Sequence, residues 1–167
     1  ASGRKLILVT GRELEDLISV FPHYTIFERV VAENGVLLYH PATGEKKILA
    51  SPPPAKFVAR LRERGVPISV GDVIVSTHHP HETLVLDTIR ELGLELQLIF
   101  NKGAVMILPS GTSKATGLAA ALKEMGLSPH NVAAVGDAEN DHALLALCEC
   151  SVAVANALPM LQEKADF

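Results

Sequence analysis

Residues 131–148 read NVAAVGDAENDHALLALC. An apolar run from Val132 to Val135 meets Gly136, and then Asp137, Glu139, Asn140 and Asp141 follow before apolar residues return at helical spacing. A short apolar run ending at glycine reads as a buried strand, and the pattern after it reads as a helix. Asp137 taken singly is an ordinary helix cap, with Glu139 well placed in the first turn. Asp141 does not fit that account. It shares a helical face with Leu144, Leu145 and Cys148, so its carboxylate points to the core side, where it needs a cation or hydrogen bonds. Open α/β sheets bind ligands at the carboxyl ends of their strands, where Asp137 falls. Oxygen ligands of this kind suit a hard divalent cation, Mg²⁺ above all.

The rest of the chain alternates around this stretch. KLILVTGR (5–12) reads as a strand ending in a Thr-Gly turn, followed by the amphipathic ELEDLISVF. RVVAENGVLLY (29–39) reads as a strand broken at Asn34-Gly35, a turn pair. A helix is expected in SPPPAKFVARLRERGVP, a strand in VIVST, a helix in HETLVLDTIRELG, and two strands, LELQLIF and AVMILP, joined through Asn101-Lys102-Gly103. Ala115, Leu118, Ala119, Leu122 and Met125 recur at helical spacing and Gly126 ends that helix. The strand-helix alternation at both ends of the chain implies a parallel sheet with helices on both faces. The expected organisation is a core made of residues 1–38 and 111–167, with 39–110 inserted as a small α/β cap and hinges near 34–39 and 109–113.

Composition narrows the possible functions. The 167 residues are 48% hydrophobic and 20% charged, enough for a real core, and the formal charge of −4 without a basic run argues against a nucleic-acid partner. No apolar segment approaches the roughly 20 residues that cross a bilayer. Cys148 and Cys150 are too few and too close to staple the fold, so a cytoplasmic setting is expected. Nothing in the sequence bears on oligomeric state. His78, His79 and His81 fit no standard single-face zinc spacing and read as a polar loop; Asn101-Lys102-Gly103 reads first as a hairpin turn, with contact to a substrate as the other reading.

Two further pieces join the acidic turn. Thr10 and Gly11 lie just past a strand end, where a hydroxyl and a backbone N–H can hold a phosphate oxygen. Lys114 opens a helix, where a cation opposes the helix dipole. Each has an ordinary explanation alone, as a capped helix start and a solvated surface lysine. In this order, VTGR, SKATGLAAALKEMG and VGDAENDHALL, with ENG and SVAVANALPMLQEKAD between and after, the chain resembles the haloacid-dehalogenase-like phosphohydrolases, specifically the Cof-type branch with an α/β cap.

That resemblance implies a Rossmann-like α/β core and a Mg²⁺-dependent phosphatase acting on a small phosphorylated metabolite such as a sugar phosphate. It assigns phosphoryl binding to Thr10 with Gly11, charge neutralisation to Lys114, the metal to Asp137 and Asp141, and supporting roles to Asn140 and Asn34. Electrostatic stabilisation of this type contributes about 3 kcal/mol per well-aimed donor. It also implies a nucleophilic aspartate and an acid/base aspartate in a DxD motif on a central strand, forming an aspartyl-phosphate. No DxD occurs in these residues, and Ala1 stands nine positions before Thr10. The pair is therefore expected upstream, with these 167 residues inactive alone and a gap left in the core. A phosphomutase of the same superfamily, a noncatalytic phosphate- or metal-binding module or pseudoenzyme, and a receiver-like signalling domain are the competing readings. The inserted segment and the motif order argue against the last.

Overall fold

The computed structural model describes residues 3–167. The first two residues of the expected core lie outside them. β1 (Ile7–Val9) pairs in parallel with β2 (Arg29–Ala32), joined through helix α1 (Leu14–Val20). This crossover works because Leu14 and Leu17 recur on one face and bury themselves with Val30, Ala32 and Leu37.

The chain then reverses more sharply than a broken strand would. Residues 33–35 form one 3₁₀ turn, and β3 (Leu37–His40) returns antiparallel to β2, with Val30 opposite Tyr39. Glu33 and Asn34 both adopt positive φ, at 51° and 57°. β4 (Glu45–Ile48) then adds an exposed edge to the same sheet. The boundary expected at residue 39 therefore falls inside β3, and residues 45–48 belong with the first sheet. Tyr39 is held by pairing to β2 and by burial beside Leu14.

From here the chain builds a second sheet. Helix α2 (Ala55–Glu63) leads to β5 (Ser69–Val70) and β6 (Val75–His78), then helix α3 (Glu82–Glu91), β7 (Leu96–Asn101) and β8 (Ala104–Pro109). The strands run in the order β5-β6-β8-β7, all antiparallel, and share no ladder with β1–β4. Phe57 and Leu61 of α2 and Val85 and Ile89 of α3 pack on Val75 and Ile107. The other face, through Met106 and Leu108, meets Val36, Val73 and Ile74. VIVST does not form one continuous strand. Its pairing starts at Val75, because the amides of Asp72, Val73 and Ile74 donate to the buried Glu33 carboxylate at 2.7–2.8 Å.

Helix α4 (Lys114–Met125) returns to the first lobe. Its start is fixed by a reciprocal Ser113–Thr116 capping box, and its end by Gly126 at φ 65°. β9 (Ala133–Gly136), α5 (His142–Leu147), β10 (Cys150–Ala153) and α6 (Pro159–Gln162) complete the chain, with β9 and β10 parallel. Leu118 and Leu122 of α4 join Ala134, Leu144, Leu145 and Leu161 in one core. Ile7 and Val9 pack against this core as well as against Val31, Leu38 and Ala121, so α4 and β1 tie the two halves together.

The parallel sheet is nonetheless divided. β1 has β2 as its ladder partner and β9 has β10, with no hydrogen-bonded ladder between β1 and β9 among the described residues. Val135 of β9 is 59% exposed, although its sequence is that of a buried strand. No helix among the described residues is long and apolar enough to cross a membrane.

The closest backbone approach lies where α4 crosses the 33–35 turn. A Cβ on Gly117 would sit 2.5 Å from the Gly35 Cα, and one on Gly35 would sit 1.9 Å from the Ser113 carbonyl oxygen. Alanine favours a helix interior over glycine by about 1 kcal/mol, but overpacking of this kind costs about 1–3 kcal/mol. Gly117→Ala should therefore lower stability in urea denaturation, and an unchanged or raised midpoint would show that the turn and helix can separate.

Candidate active site

A cavity of about 800 Å³ opens between the two lobes at the carboxyl ends of β1 and β9. Its first-lobe wall carries Thr10, Gly11, Lys114, Asp137 and Asp141, and Asn101 and Lys102 face it from the second lobe. The structure thus gathers on one wall five residues that are scattered over the sequence.

Thr10 leaves β1 with its N–H donating to the Val31 carbonyl and its carbonyl accepting from Asn34 N–H. Its Oγ1 accepts from the Arg12 N–H at 3.2 Å, which leaves the hydroxyl hydrogen to donate into the cavity. Gly11 lies close to the second lobe and to the paired asparagines. A Cβ there would meet Met106 Sδ at 3.3 Å and the facing amides of Asn140 and Asn34 at 3.7 and 3.8 Å.

Lys114 is the first residue of α4 and is only 7% exposed. Its Nζ donates to Asp141 Oδ1 at 2.6 Å and to Asn140 Oδ1 at 3.3 Å. Asn140 in turn donates from Nδ2 to Asn34 Oδ1 at 3.0 Å. A cation at a helix N-terminus opposes the helix dipole. Here the buried carboxylate compensates, and Asn140, itself held by Asn34, steadies the ammonium.

Asp141, 4% exposed, is the last residue of a 3₁₀ turn that precedes α5. Its Oδ2 accepts from the backbone N–H groups of Asp137 and Ala138 at 3.0 and 3.1 Å. The turn curls this tightly because Gly136 has no side chain; a Cβ there would lie 2.7 Å from that of Asp141. Burial pushes the Asp141 carboxyl up, but the Lys114 hydrogen bond and charge and the two amides outweigh it and hold it below the usual aspartate range. Both its oxygens are thus taken by the protein.

Asp137 differs. Its side chain is 39% exposed at the cavity, and Oδ2 is met by Lys102 Nζ at 2.6 Å, from across the lobes. That hydrogen bond and the Asp137 charge push the Lys102 ammonium pKa up. The contact shows that Asp137 presents its charge to a cation at this point. Mg²⁺ commonly takes one or two protein carboxylates, with water and substrate phosphate completing six ligands. Asp137 beside the Thr10–Lys114 wall fits such a site as a single carboxylate ligand. Among the described residues no three histidine, cysteine or acidic side chains converge as a ready-made cage.

The sequence-singled histidines lie in the loop between β6 and α3. His79 stacks on Phe100 with ring centroids 5.9 Å apart and pairs with Glu82 at 3.0 Å. Cys148 is buried among leucines, where burial pushes its thiol pKa up. Sequence reasoning gave Glu33 no role and placed Lys102 in a turn, with contact to a substrate as the second reading. For Lys102 the signal was present in the dipeptide Lys-Gly between two apolar runs, but the pattern reports a turn and not what lies opposite it. Nothing local marks Glu33, whose partners lie about forty positions away.

The family model for haloacid dehalogenase-like hydrolases matches residues 73–167. The chain is 30% identical over 170 residues to phosphoglycolate phosphatase 2 of Saccharolobus solfataricus, covering 98% of this chain and 70% of that protein. The fold is similar to a haloacid dehalogenase-like hydrolase from Bacteroides thetaiotaomicron, with a TM-score of 0.79 at 17% identity, covering 98% of this chain and 80% of the other. It is also similar to a sugar phosphatase of subclass IIB, with a TM-score of 0.74 at 16% identity and coverage of 98% and 79%.

The buried pair gives a direct test. Removing one partner of a buried ion pair costs about 3–5 kcal/mol, so Asp141→Asn should lose about that much stability at neutral pH. Because the folded-state pKa is depressed, the wild-type advantage is complete above the unfolded aspartate value of about 3.9 and is lost as pH falls through the lower folded value. The gap between the urea midpoints of the two proteins should hold constant from pH 7 to about pH 5 and begin to narrow as pH falls below about 3.9; a gap that does not narrow in acid would mean that the carboxylate charge is not what stabilises the site.

Proposed function

Because the chain belongs to the haloacid dehalogenase-like hydrolases, we propose that it is the greater part of a phosphatase that removes the phosphoryl group from a small phosphorylated metabolite, a phosphoglycolate or sugar phosphate type of ester. The observation that carries this reading is the buried Lys114–Asp141 pair, set beside the Thr10–Gly11 turn and the exposed carboxylate of Asp137. A phosphomonoester needs that combination: a cation that cannot drift away, hydrogen-bond donors, and an oxygen ligand for a metal.

In this mechanism Thr10 Oγ1–H and the Gly11 N–H hold phosphoryl oxygens, and Lys114 stabilises the negative charge that builds on them. Asp141 acts through Lys114, fixing its ammonium and the backbone of residues 137–138. Asp137 would hold Mg²⁺, which when bound neutralises phosphoryl charge. Asn34 and Asn140 lock the turns that carry these groups. The nucleophile and the acid/base are an aspartate pair on a strand that we place between β1 and β9. The absence of a ladder between those strands, and the exposure of Val135, support that position. The second lobe, from α2 to β8, serves as the cap over the cavity.

The alternative is a noncatalytic phosphate-binding module, favoured by the absence of a DxD motif in these residues. Phosphate release from a panel of small phosphate esters, with and without Mg²⁺, separates the two. A chain that includes the aspartate-bearing strand should turn over, and the 167 residues alone should not. Asp137→Asn in the longer chain should fold normally and lose Mg²⁺-dependent turnover by at least about a hundredfold. Turnover by the 167 residues alone, abolished by Asp137→Asn, would require a different nucleophile. Absence of turnover in the longer chain would favour the binding module.

A further inference from the structure

We infer that Glu33 is a positioning residue for the proposed reaction: it touches no reacting group, and it seats the second lobe over the Thr10–Gly11 turn. The inference rests on the phosphatase reading above and adds to it a residue that lies off the wall of the active-site cavity.

Glu33 is a buried acid for which the proposed mechanism has no use. It is 1% exposed, and its backbone takes φ 51°, a left-handed conformation uncommon outside glycine, asparagine and aspartate. A backbone held in such a region persists where its surroundings over-determine it, and such places cluster at functional sites. The surroundings here come from both lobes. On the first-lobe side, Glu33 N–H donates to the Arg12 carbonyl and Asn34 N–H to the Thr10 carbonyl, both at 2.9 Å. The turn at Glu33 is therefore the backbone partner of the phosphate-binding turn. On the second-lobe side, three successive amides, those of Asp72, Val73 and Ile74, converge on the Glu33 carboxylate. Lys46 of β4 grips the same loop, its Nζ donating to Asp72 Oδ2 at 2.9 Å.

The residues that Glu33 joins are what give it a role beyond stability. Arg12 and Ile74 both line the active-site cavity, one from each lobe, and Glu33 bonds to the backbone of both. One side chain thus spans from the phosphate-binding turn to the facing wall. Both of its carboxylate oxygens are engaged, so it cannot turn without breaking a bond. Gly71 shows how closely the second lobe is seated. A Cβ there would lie 2.5 Å from Glu33 Oε1 and 2.9 Å from Ile74 Cγ2.

The test separates the two walls by ligand size, on the complete protein with Mg²⁺. Inorganic phosphate needs only the Thr10–Lys114 wall, whereas an ester extends past it towards Ile74 and Ser76. Two variants loosen the clasp from opposite sides. Glu33→Gln keeps the shape of the side chain but turns an NH₂ group towards one of the three amides, and Gly71→Ala drives a methyl group against the carboxylate. Both should speed hydrogen exchange at the amides of residues 72–74 and leave exchange in α4 unchanged. Both should lower kcat/KM for the ester that the protein turns over fastest by about tenfold or more, because a displacement of about 1 Å remote from the chemistry can cost about a hundredfold. Calorimetric affinity for inorganic phosphate should be unchanged. Equal losses for phosphate and ester would make Glu33 a merely structural residue and overturn the inference, as would faster exchange at 72–74 with unaltered ester kinetics. If the wild type binds glycerol 3-phosphate and hydrolyses no ester, the catalytic reading fails by itself. The inference then stands if the variants weaken binding of glycerol 3-phosphate alone, and falls if they weaken phosphate equally or neither.

Discussion

The contact on which the active site depends is the ion pair between Lys114 and Asp141, with both side chains less than a tenth exposed. A charge buried in this way must be matched or the fold loses several kcal/mol. The match here is complete: Asp141 accepts from one ammonium and two backbone amides, and Lys114 is steadied by Asn140. As a result, α4 and the acidic turn after β9 cannot move independently. The pair also explains why a lysine is tolerated at a helix start, where its charge opposes the dipole. In the proposed reaction, an ammonium positioned in advance would need no reorganisation as charge develops on a phosphoryl group.

Glycine and asparagine extend this constraint through the first lobe. Gly117 lets α4 settle on Gly35, which sets the height of Lys114 above the sheet. Asn34, in a left-handed conformation within the same turn, reaches the side chain of Asn140. Thr10 is joined to that turn by its backbone, so its hydroxyl and the acidic turn share one scaffold. The site is thus assembled from turns that would each look unremarkable alone. Close packing of backbone against backbone is what couples them.

Much of this was legible in the sequence, for identifiable reasons. The GDAEND turn, the Thr-Gly turn and the helix-start lysine are local patterns, and the apolar spacing of α4 reported its limits and its two buried leucines, though Ala119 proves exposed and Gly117 and Ala121 buried instead. Asp141 was readable as inward-facing because its neighbours Leu144 and Leu145 share its side. Properties set by tertiary pairing were not legible. The strand pattern around Asn34-Gly35 could not reveal a full reversal, because the partner of Val30 is fixed by the sheet. The edge strand β4, whose four residues are all exposed, carries no apolar alternation to mark it. VIVST looked like one strand because its first amides find a carboxylate rather than a neighbouring strand, and spacing cannot register that exchange.

The Glu33 clasp has a mechanical consequence. Three short hydrogen bonds to a carboxylate only 1% exposed tie one end of the second sheet to the first lobe, and at the hairpin tip Lys102 reaches Asp137 through a solvent-exposed ion pair. Along β8, the residue opposite Val75, beside the clasp, is Ile107, and the residue at the tip is Ala104. Three strand steps separate them, about 10 Å. The buried carboxylate is the point about which any movement of this sheet over the cavity would turn with least loss of hydrogen bonding. A rotation of only 10° about that point would sweep the tip by roughly 2 Å, enough to separate an ammonium from a carboxylate while the Glu33 bonds stay intact. The first lobe can therefore stay packed as the cavity mouth widens.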